Sequence, residues 1–222
     1  MLKLDLHVHT KYSNDGFEEI VDLIKKAKKI GLDGFAITDH DTVAGLKEAK
    51  KLADKENFLI IPGIEIASKD GDIVALGINK KIPKNLSAKK TINKIHEMGG
   101  IAIAAHPFGM LYHRNSVGIL ASELPFDAVE AINSRCYSAN NIAQKIDKTK
   151  IAGSDAHIKE ELGRAYTLVN AKPNIKSILN AIKAGKTKPI GKSIRFTNVL
   201  QYAYIRTPTL ISEKLSKIFG RK

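Results

Sequence analysis

Apolar residues along this chain recur at two periods, and the switches between them mark out the elements. Leu2, Leu4 and Leu6 alternate with polar neighbours as a strand does. Over Phe17 to Ile30 the residues Ile20, Leu23, Ile24, Ala27 and Ile30 fall three to four apart, predicting a helix stopped by Gly31. Asp33 to Thr38 predicts a strand and Val43 to Glu56 a helix. Phe58 to Ile66 is a nearly continuous apolar run of the kind buried in parallel sheets. The Asp70-Gly71 turn leads into a hairpin partner, Asp72 to Ile78. Further helices are predicted over Ser87 to Met98, Ser138 to Ile146 and Ile175 to Ala184. Strands are predicted over Ile101 to Ala105, Phe126 to Ile132, Thr149 to Ala152 and Ala165 to Val169. Repeated strand–helix alternation without an internal repeat or a linker predicts one parallel α/β domain, a barrel or an open sheet.

Two segments fall outside this alternation. Pro107 to Pro125 is long and irregular, with a Tyr112-His113-Arg114 cluster, as lid loops are. Gln201 to Lys222 reads as a basic amphipathic helix packed on the outside of the domain.

Composition narrows the picture. The 222 residues, 43% of them hydrophobic, suffice for one substantial core. No apolar run approaches the roughly 20 residues of a membrane helix, and no basic segment with an apolar signal core opens the chain. A soluble, cytoplasmic protein without a membrane partner is expected. Cys136 is the only cysteine, so neither a disulfide framework nor a Cys-rich zinc site is available. Any metal must be held by His, Asp and Glu. The net charge of +13 fits a phosphate-bearing or nucleic-acid partner, but lysine supplies 30 of the 36 basic residues, which equally describes a lysine-rich surface.

The first strand does not finish as a core strand. It runs into HVHTKYSNDG, residues 7 to 16, and similar polar residues close other predicted strands: Asp39 and His40, Glu65, His106, and Asp155 with His157. In a parallel α/β domain these ends lie on one face, where active sites are built. Residues i and i+2 of an extended chain point the same way, so His7/His9 and Asp155/His157 can each present two donors to one spot. Imidazole and carboxylate without thiolate suit Zn, Mn or Fe. Clustered ions of this kind serve phosphoester hydrolysis.

The ordered segments HVHTKYSNDG, ITDHDT, PGIEI, AHPFG and GSDAH resemble the motifs of the PHP (polymerase and histidinol phosphatase) family of metal-dependent phosphoesterases, over about residues 1 to 190. The resemblance implies a distorted (β/α)7 barrel as a single α/β domain, with residues 191–222 a C-terminal extension packed on it. It implies a trinuclear site of Mn, Zn or Fe at the C-terminal mouth. By the same resemblance His7, His9, Glu65 and Asp155 would hold one ion. Asp15, His40 and His157, helped by Asp155, would hold another, and Glu65 and His106 the middle one, with a further histidine from the strand after GIEI. That strand here reads GDIVALGIN, and the aligned position is Val74. Eight of nine expected donors remain, so two well-held ions are expected, with a third that is weak, completed by water or absent.

Around these donors, Arg114, Arg164 and Arg135 are candidates for gripping a phosphate, since the guanidinium fork matches its oxygens. Each is equally able to form a surface ion pair. His113 is a candidate general acid, Tyr12 and Asn133 candidate pocket walls, Asp39 a candidate for orienting a ligand, and Asp41 a candidate cap of the helix near Val43. His96, mid-helix, and Cys136 are read as structural.

The expected function is phosphoester hydrolysis by hydroxide generated at bound metals. The substrate is a phosphorylated small molecule, such as a nucleotide or histidinol phosphate, or an oligonucleotide end. The second reading is a catalytically impaired barrel that binds RNA or protein, as ribonuclease P protein subunits do.

Overall fold

The computed structural model describes residues 1–109, 115–136, 140–192 and 197–207. In chain order the elements are β1 (Leu2–Val8), α1 (Ile20–Lys29), β2 (Gly34–Ile37), α2 (Leu46–Glu56), β3 (Leu59–Ser68), β4 (Gly71–Leu76), α3 (Ala88–Glu97), β5 (Ile101–Ala104), α4 (Leu120–Glu123), β6 (Ala128–Asn133), α5 (Asn140–Ala143), β7 (Thr149–Gly153), β8 (Ala165–Val169), α6 (Ile175–Lys183) and β9 (Thr187–Gly191). A last helix, α7, covers residues 197–207.

The nine strands of the described residues join one sheet in the order β7-β6-β5-β4-β3-β2-β1-β8-β9. β1, β2 and β3 are parallel, as are β5, β6 and β7, whereas β4 is antiparallel to both its neighbours. The sheet nearly closes on itself. At the C-terminal mouth Val8 bridges Ala156, and Asp155 N–H donates to His7 O at 2.9 Å. Below the mouth the Thr167 hydroxyl of β8, which runs antiparallel to β1, bonds both N–H and C=O of Ala152 on β7. The single-domain α/β barrel anticipated from the sequence is therefore present, with the β3–β4 hairpin and the antiparallel pairings β4–β5, β1–β8 and β8–β9 as its departures from a regular parallel barrel.

Three apolar clusters hold it together. Leu4, Leu6, Ile61, Val74, Leu76, Ile103 and Ile151 fill the barrel, and Ile178 and Ile182 of α6 pack beneath them. α1 and α2 cover β1 and β2 through Ile20, Leu23, Ile24 and Ala49 against Val8, Phe35 and Ile37. α3 covers β4 and β5 through Ile92 and Ile95. The helical periods read from the sequence are these burial stripes.

Several expectations change. The described part of the irregular loop is not a free lid: Val117 and Ala121, 4% and 0% exposed, are core residues around the single turn of α4. α5 is one turn long rather than the helix expected over Ser138 to Ile146, and residues 137–139 lie outside the described part. Asp41 does not cap α2. Its carboxylate accepts from Ala67 N–H at 3.1 Å, tying the β2 exit to the end of β3, and Gly45 stands at the helix N-cap.

Candidate metal centre

The donors reach the mouth because β1 carries an extra residue. Asp5 pairs with Phe35 and Val8 with Ile37, so Leu6 and His7 together face the single residue Ala36. Such a bulge turns two successive side chains the same way. Leu6 stays in the barrel core, and His7 points into the mouth beside it. A similar irregularity in β6, between Glu130 and Ile132, lets Glu130 and Asn133 both face the site. His106 and Asp155 take left-handed backbone angles, φ 27° and 55°. That conformation costs of order 1–3 kcal/mol for a residue with a side chain and gathers at functional sites.

Glu65 is the hub. Its Oε2 lies 3.1 Å from His7 Nε2, 3.3 Å from His9 Nε2 and 3.2 Å from His40 Nδ1, and its Oε1 lies 3.0 Å from His106 Nε2. His9 Nε2 is 3.2 Å from His7 Nε2 and 3.2 Å from Asp155 Oδ1. On the outer side Asp15 Oδ2 lies 3.2 Å from His157 Nε2 and 3.5 Å from His40 Nε2. All eight donors expected from the sequence are thus brought together. Three groups have donor atoms within 4.8 Å of one another: His7, His9 and Glu65; His9, Asp15, His40 and His157; and Glu65, Asp72 and His106.

The spacing suits a cation. Ligands at about 2.0–2.1 Å from a tetrahedral ion stand about 3.3 Å apart, and octahedral ligands at similar range about 3.0 Å. The donor separations around Glu65 and His9, 3.0 to 3.3 Å, fall in that interval.

Electrostatics point the same way. Burial opposes charge on Glu65, but His7 and His40 outweigh it and hold its carboxyl well below the usual range. Burial likewise disfavours the His40 imidazolium, yet Glu65 and Asp15 push its pKa up to about 10. His157 goes the other way: burial, then the Arg135 guanidinium, push it down to about 4. Asp15 is raised by burial, but hydrogen bonds with His157 and His40 prevail and leave it well below the ordinary carboxylate value. Asp72 is pushed up to about 7 by burial and by Glu65. In a chain of net charge +13, the mouth is a concentrated patch of carboxylate.

A supporting layer orients the donors. Glu130 accepts from the backbone N–H of His106 at 2.8 Å and from Asn133 Nδ2 at 2.9 Å, and its other oxygen lies 3.1 Å from His7 Nδ1. Asn133, expected in the pocket wall, also donates to Asp155 Oδ2 at 3.2 Å. Glu161 accepts from His157 N–H at 2.9 Å and pairs with Arg135 Nη2 at 3.0 Å. Arg135, a substrate candidate from the sequence, is therefore tied to Glu161. Arg164 is half-buried at the turn into β8, its N–H on Glu161 O. Arg114 and His113 lie outside the described residues. Asp39 does not orient a histidine; it accepts from Thr10 N–H and hydroxyl at 2.6 and 2.8 Å, holding the turn after β1. Tyr12 donates to Glu48 Oε2 at 2.5 Å, while His96 pairs with Asp127 and Cys136 is buried.

Five residues went unread in the sequence: Asp72, Glu130, Glu161, Tyr202 and Arg206. Of the tail expected to pack on the outside of the domain, residues 208–222 lie outside the described part, and residues 197–207 form α7, which reaches the mouth. The Tyr202 ring lies edge-on to His157 at 5.4 Å and carries the Arg135 guanidinium at 4.4 Å. Arg206 Nη1 lies 3.9 Å from Asp15 Oδ2 and donates to the Tyr202 hydroxyl at 3.2 Å. A separate groove of about 980 Å³ beside the start of β3, lined in part by Asp33, Leu46 and Phe58, contains none of the donors.

A nearly closed α/β barrel with histidines and carboxylates gathered at one mouth defines a class of fold and site. The chain belongs to the PHP domain family, whose model matches residues 5–194. It is 39% identical over 160 residues to the uncharacterized protein MJ1587 of Methanocaldococcus jannaschii, covering 68% of this chain and 91% of that one. It is 33% identical over 85 residues to a phosphoribosyl 1,2-cyclic phosphate 1,2-diphosphodiesterase of Eggerthella lenta, covering 36% of this chain and 32% of the relative. Its fold is similar to a two-domain protein of Bacteroides vulgatus described as containing a predicted PHP-like metal-dependent phosphoesterase. That match has a TM-score of 0.72 and 20% identity, over 86% of this chain and 65% of the other.

Proposed function

We propose that this chain hydrolyses phosphate esters with the help of divalent cations, Mn, Zn or Fe, held by His7, His9, Asp15, His40, Glu65, His106, Asp155 and His157. The observation that carries the reading is Glu65, a buried carboxylate with four imidazoles within 3.3 Å of its two oxygens. One carboxylate shared among so many imidazoles is the arrangement of a bridging ligand. When bound, such cations supply Lewis acidity toward phosphoryl oxygens and make a water acidic enough to serve as nucleophile at neutral pH.

The chain's own residues do the rest. Glu130 and Asn133 keep His7, His106 and Asp155 in place, and Glu161 holds the His157 backbone. Arg206, on the rim beside Asp15, is placed to take a phosphoryl oxygen once Asp15 is neutralised by a cation. Tyr202, beside Arg206 on the same helix, covers His157 with the edge-on contact of its ring. Residues 197–207 therefore belong to the functional unit, which favours a small phosphorylated molecule or a single oligonucleotide end over a long polymer track.

The test is a substrate panel of mononucleotides, histidinol phosphate, a cyclic ribose phosphate and short 5′-phosphorylated oligonucleotides, run with Mn, Zn or Fe(II). Metal-dependent release from at least one member, abolished in His9→Ala, is expected. Less than one bound ion per chain together with background activity on every member would sink the proposal. RNA binding that survives loss of the donors would then favour the scaffold reading.

A further inference from the structure

We infer that Asp72 supplies the donor missing at Val74, so that Glu65, Asp72 and His106 form a complete third cation site. This rests on the metal-dependent reading above and deepens it. β4 runs antiparallel to β3 with Glu65 opposite Val74 and Ala67 opposite Asp72. The period of two puts Asp72 on the same face as Val74, one pleat nearer the mouth. Val74 itself is 1% exposed and packs in the barrel core, opposite Ile103 on its other side. It offers no donor, and the polar mouth begins at the next inward residue of its strand.

That residue lacks a partner where one is needed. Asp72 is 6% exposed, and its Oδ1 has no hydrogen-bond partner among the described residues. A buried unpaired carboxylate oxygen is costly, the more so beside the second carboxylate of Glu65. A cation between them removes both costs. The donor atoms of Glu65, Asp72 and His106 already stand within 4.8 Å of one another. Glu65 divides its oxygens suitably, Oε2 toward His7, His9 and His40 and Oε1 toward His106.

The position is braced. Asp72 N–H donates to Asn115 O at 2.7 Å, and Gly71, at φ 135°, lets Val117 N come within 2.4 Å of where a Cβ would stand. The neighbouring loop thus clamps the start of β4. The substitution also changes the chemistry of the site. Two carboxylates and one imidazole form a harder donor set than one carboxylate and two imidazoles, so this site favours Mn or Mg over Zn relative to the family's pattern.

The experiment is equilibrium dialysis of the full chain against Mn, with elemental analysis of bound ions per chain. The Asp72→Ala protein is expected to hold one ion fewer than the unsubstituted protein, with an unchanged circular dichroism spectrum. Asp72→Ala combined with Val74→His is expected to regain the ion. Asp72→Asn, which keeps the shape and loses the charge, replaces Asp72→Ala if the latter fails to fold and is expected to show the same loss. Equal ion counts in the unsubstituted and Asp72 variants would overturn the inference and leave the proposed function standing. No bound Mn in any of the proteins would overturn the inference, and the proposed function falls with it only if Zn and Fe(II) are also not held and every member of the substrate panel stays at background.

Discussion

Glu130 Oε1 lies 3.1 Å from Nδ1 of His7, on the side of the ring away from Glu65. A carboxylate there accepts a hydrogen bond from Nδ1–H, which keeps that proton on Nδ1 and leaves the Nε2 lone pair facing the mouth as a metal donor. Glu130→Ala should leave the barrel folded and weaken binding of the ion at His7 and His9 by about 10- to 100-fold, the usual cost of removing such a partner. Competition against a chelator of known affinity would measure it, and an unchanged affinity would show that His7 needs no help.

Gly153 is required by space rather than by its backbone angle. A Cβ there would stand 2.4 Å from His7 Cβ and 2.6 Å from Glu130 Oε1. Gly153→Ala should therefore cost about 1–3 kcal/mol as overpacking does, lowering Tm by several degrees. It should also lower metal content, because the displaced atoms belong to the His7–Glu130 pair. A stable variant with full metal content would contradict this.

The His40 imidazole ties pH to stability in the metal-free protein. Burial lowers its pKa, but Glu65 and Asp15 more than offset that and raise it from 6.5 to about 10. A raised folded pKa means that the folded state binds the proton more tightly than the unfolded chain. The resulting stabilisation is fully present below pH 6.5 and is lost as pH rises toward 10. Chelator-treated protein should show Tm falling across that window, and His40→Gln should flatten the fall. Saturating metal should reverse the trend, because cations compete with protons for the ring.

Arg206 approaches Asp15 Oδ2 at 3.9 Å, too long for a firm ion pair and close enough to the mouth to meet a phosphoryl group. Arg206→Ala should raise KM for phosphoesters roughly tenfold or more, the value of one charge-assisted hydrogen bond, and leave metal content unchanged. A KM equal to that of the unsubstituted protein would place Arg206 outside the substrate site.

The sequence by itself determined most of the barrel's elements, though not α4, β9 or the extent of α5, and marked His7, His9, His40, Glu65, His106, Asp155 and His157 as strand-end polar residues, with Asp15 added by the resemblance to the PHP family. Apolar periodicity records which face of each element is buried, and polar residues that interrupt it at strand ends stand out against a core pattern. Gly16 closes the turn after β1 by close approach, since a Cβ there would stand 2.1 Å from Thr10 O.

Only the tertiary structure decided the rest. Asp72 reads in the sequence as the first residue of a hairpin strand, and its place beside Glu65 depends on the antiparallel register of β3 and β4. Glu130 sits mid-strand as an isolated acid, and the β6 bulge, invisible to a period of two, turns it toward His7. Tyr202 and Arg206 lie nearly 200 residues from the donors of β1, and their arrival at the mouth is set by how α7 packs. Local periodicity encodes burial within an element, whereas register, bulges and the docking of a distant helix are relations between elements, which no local pattern carries.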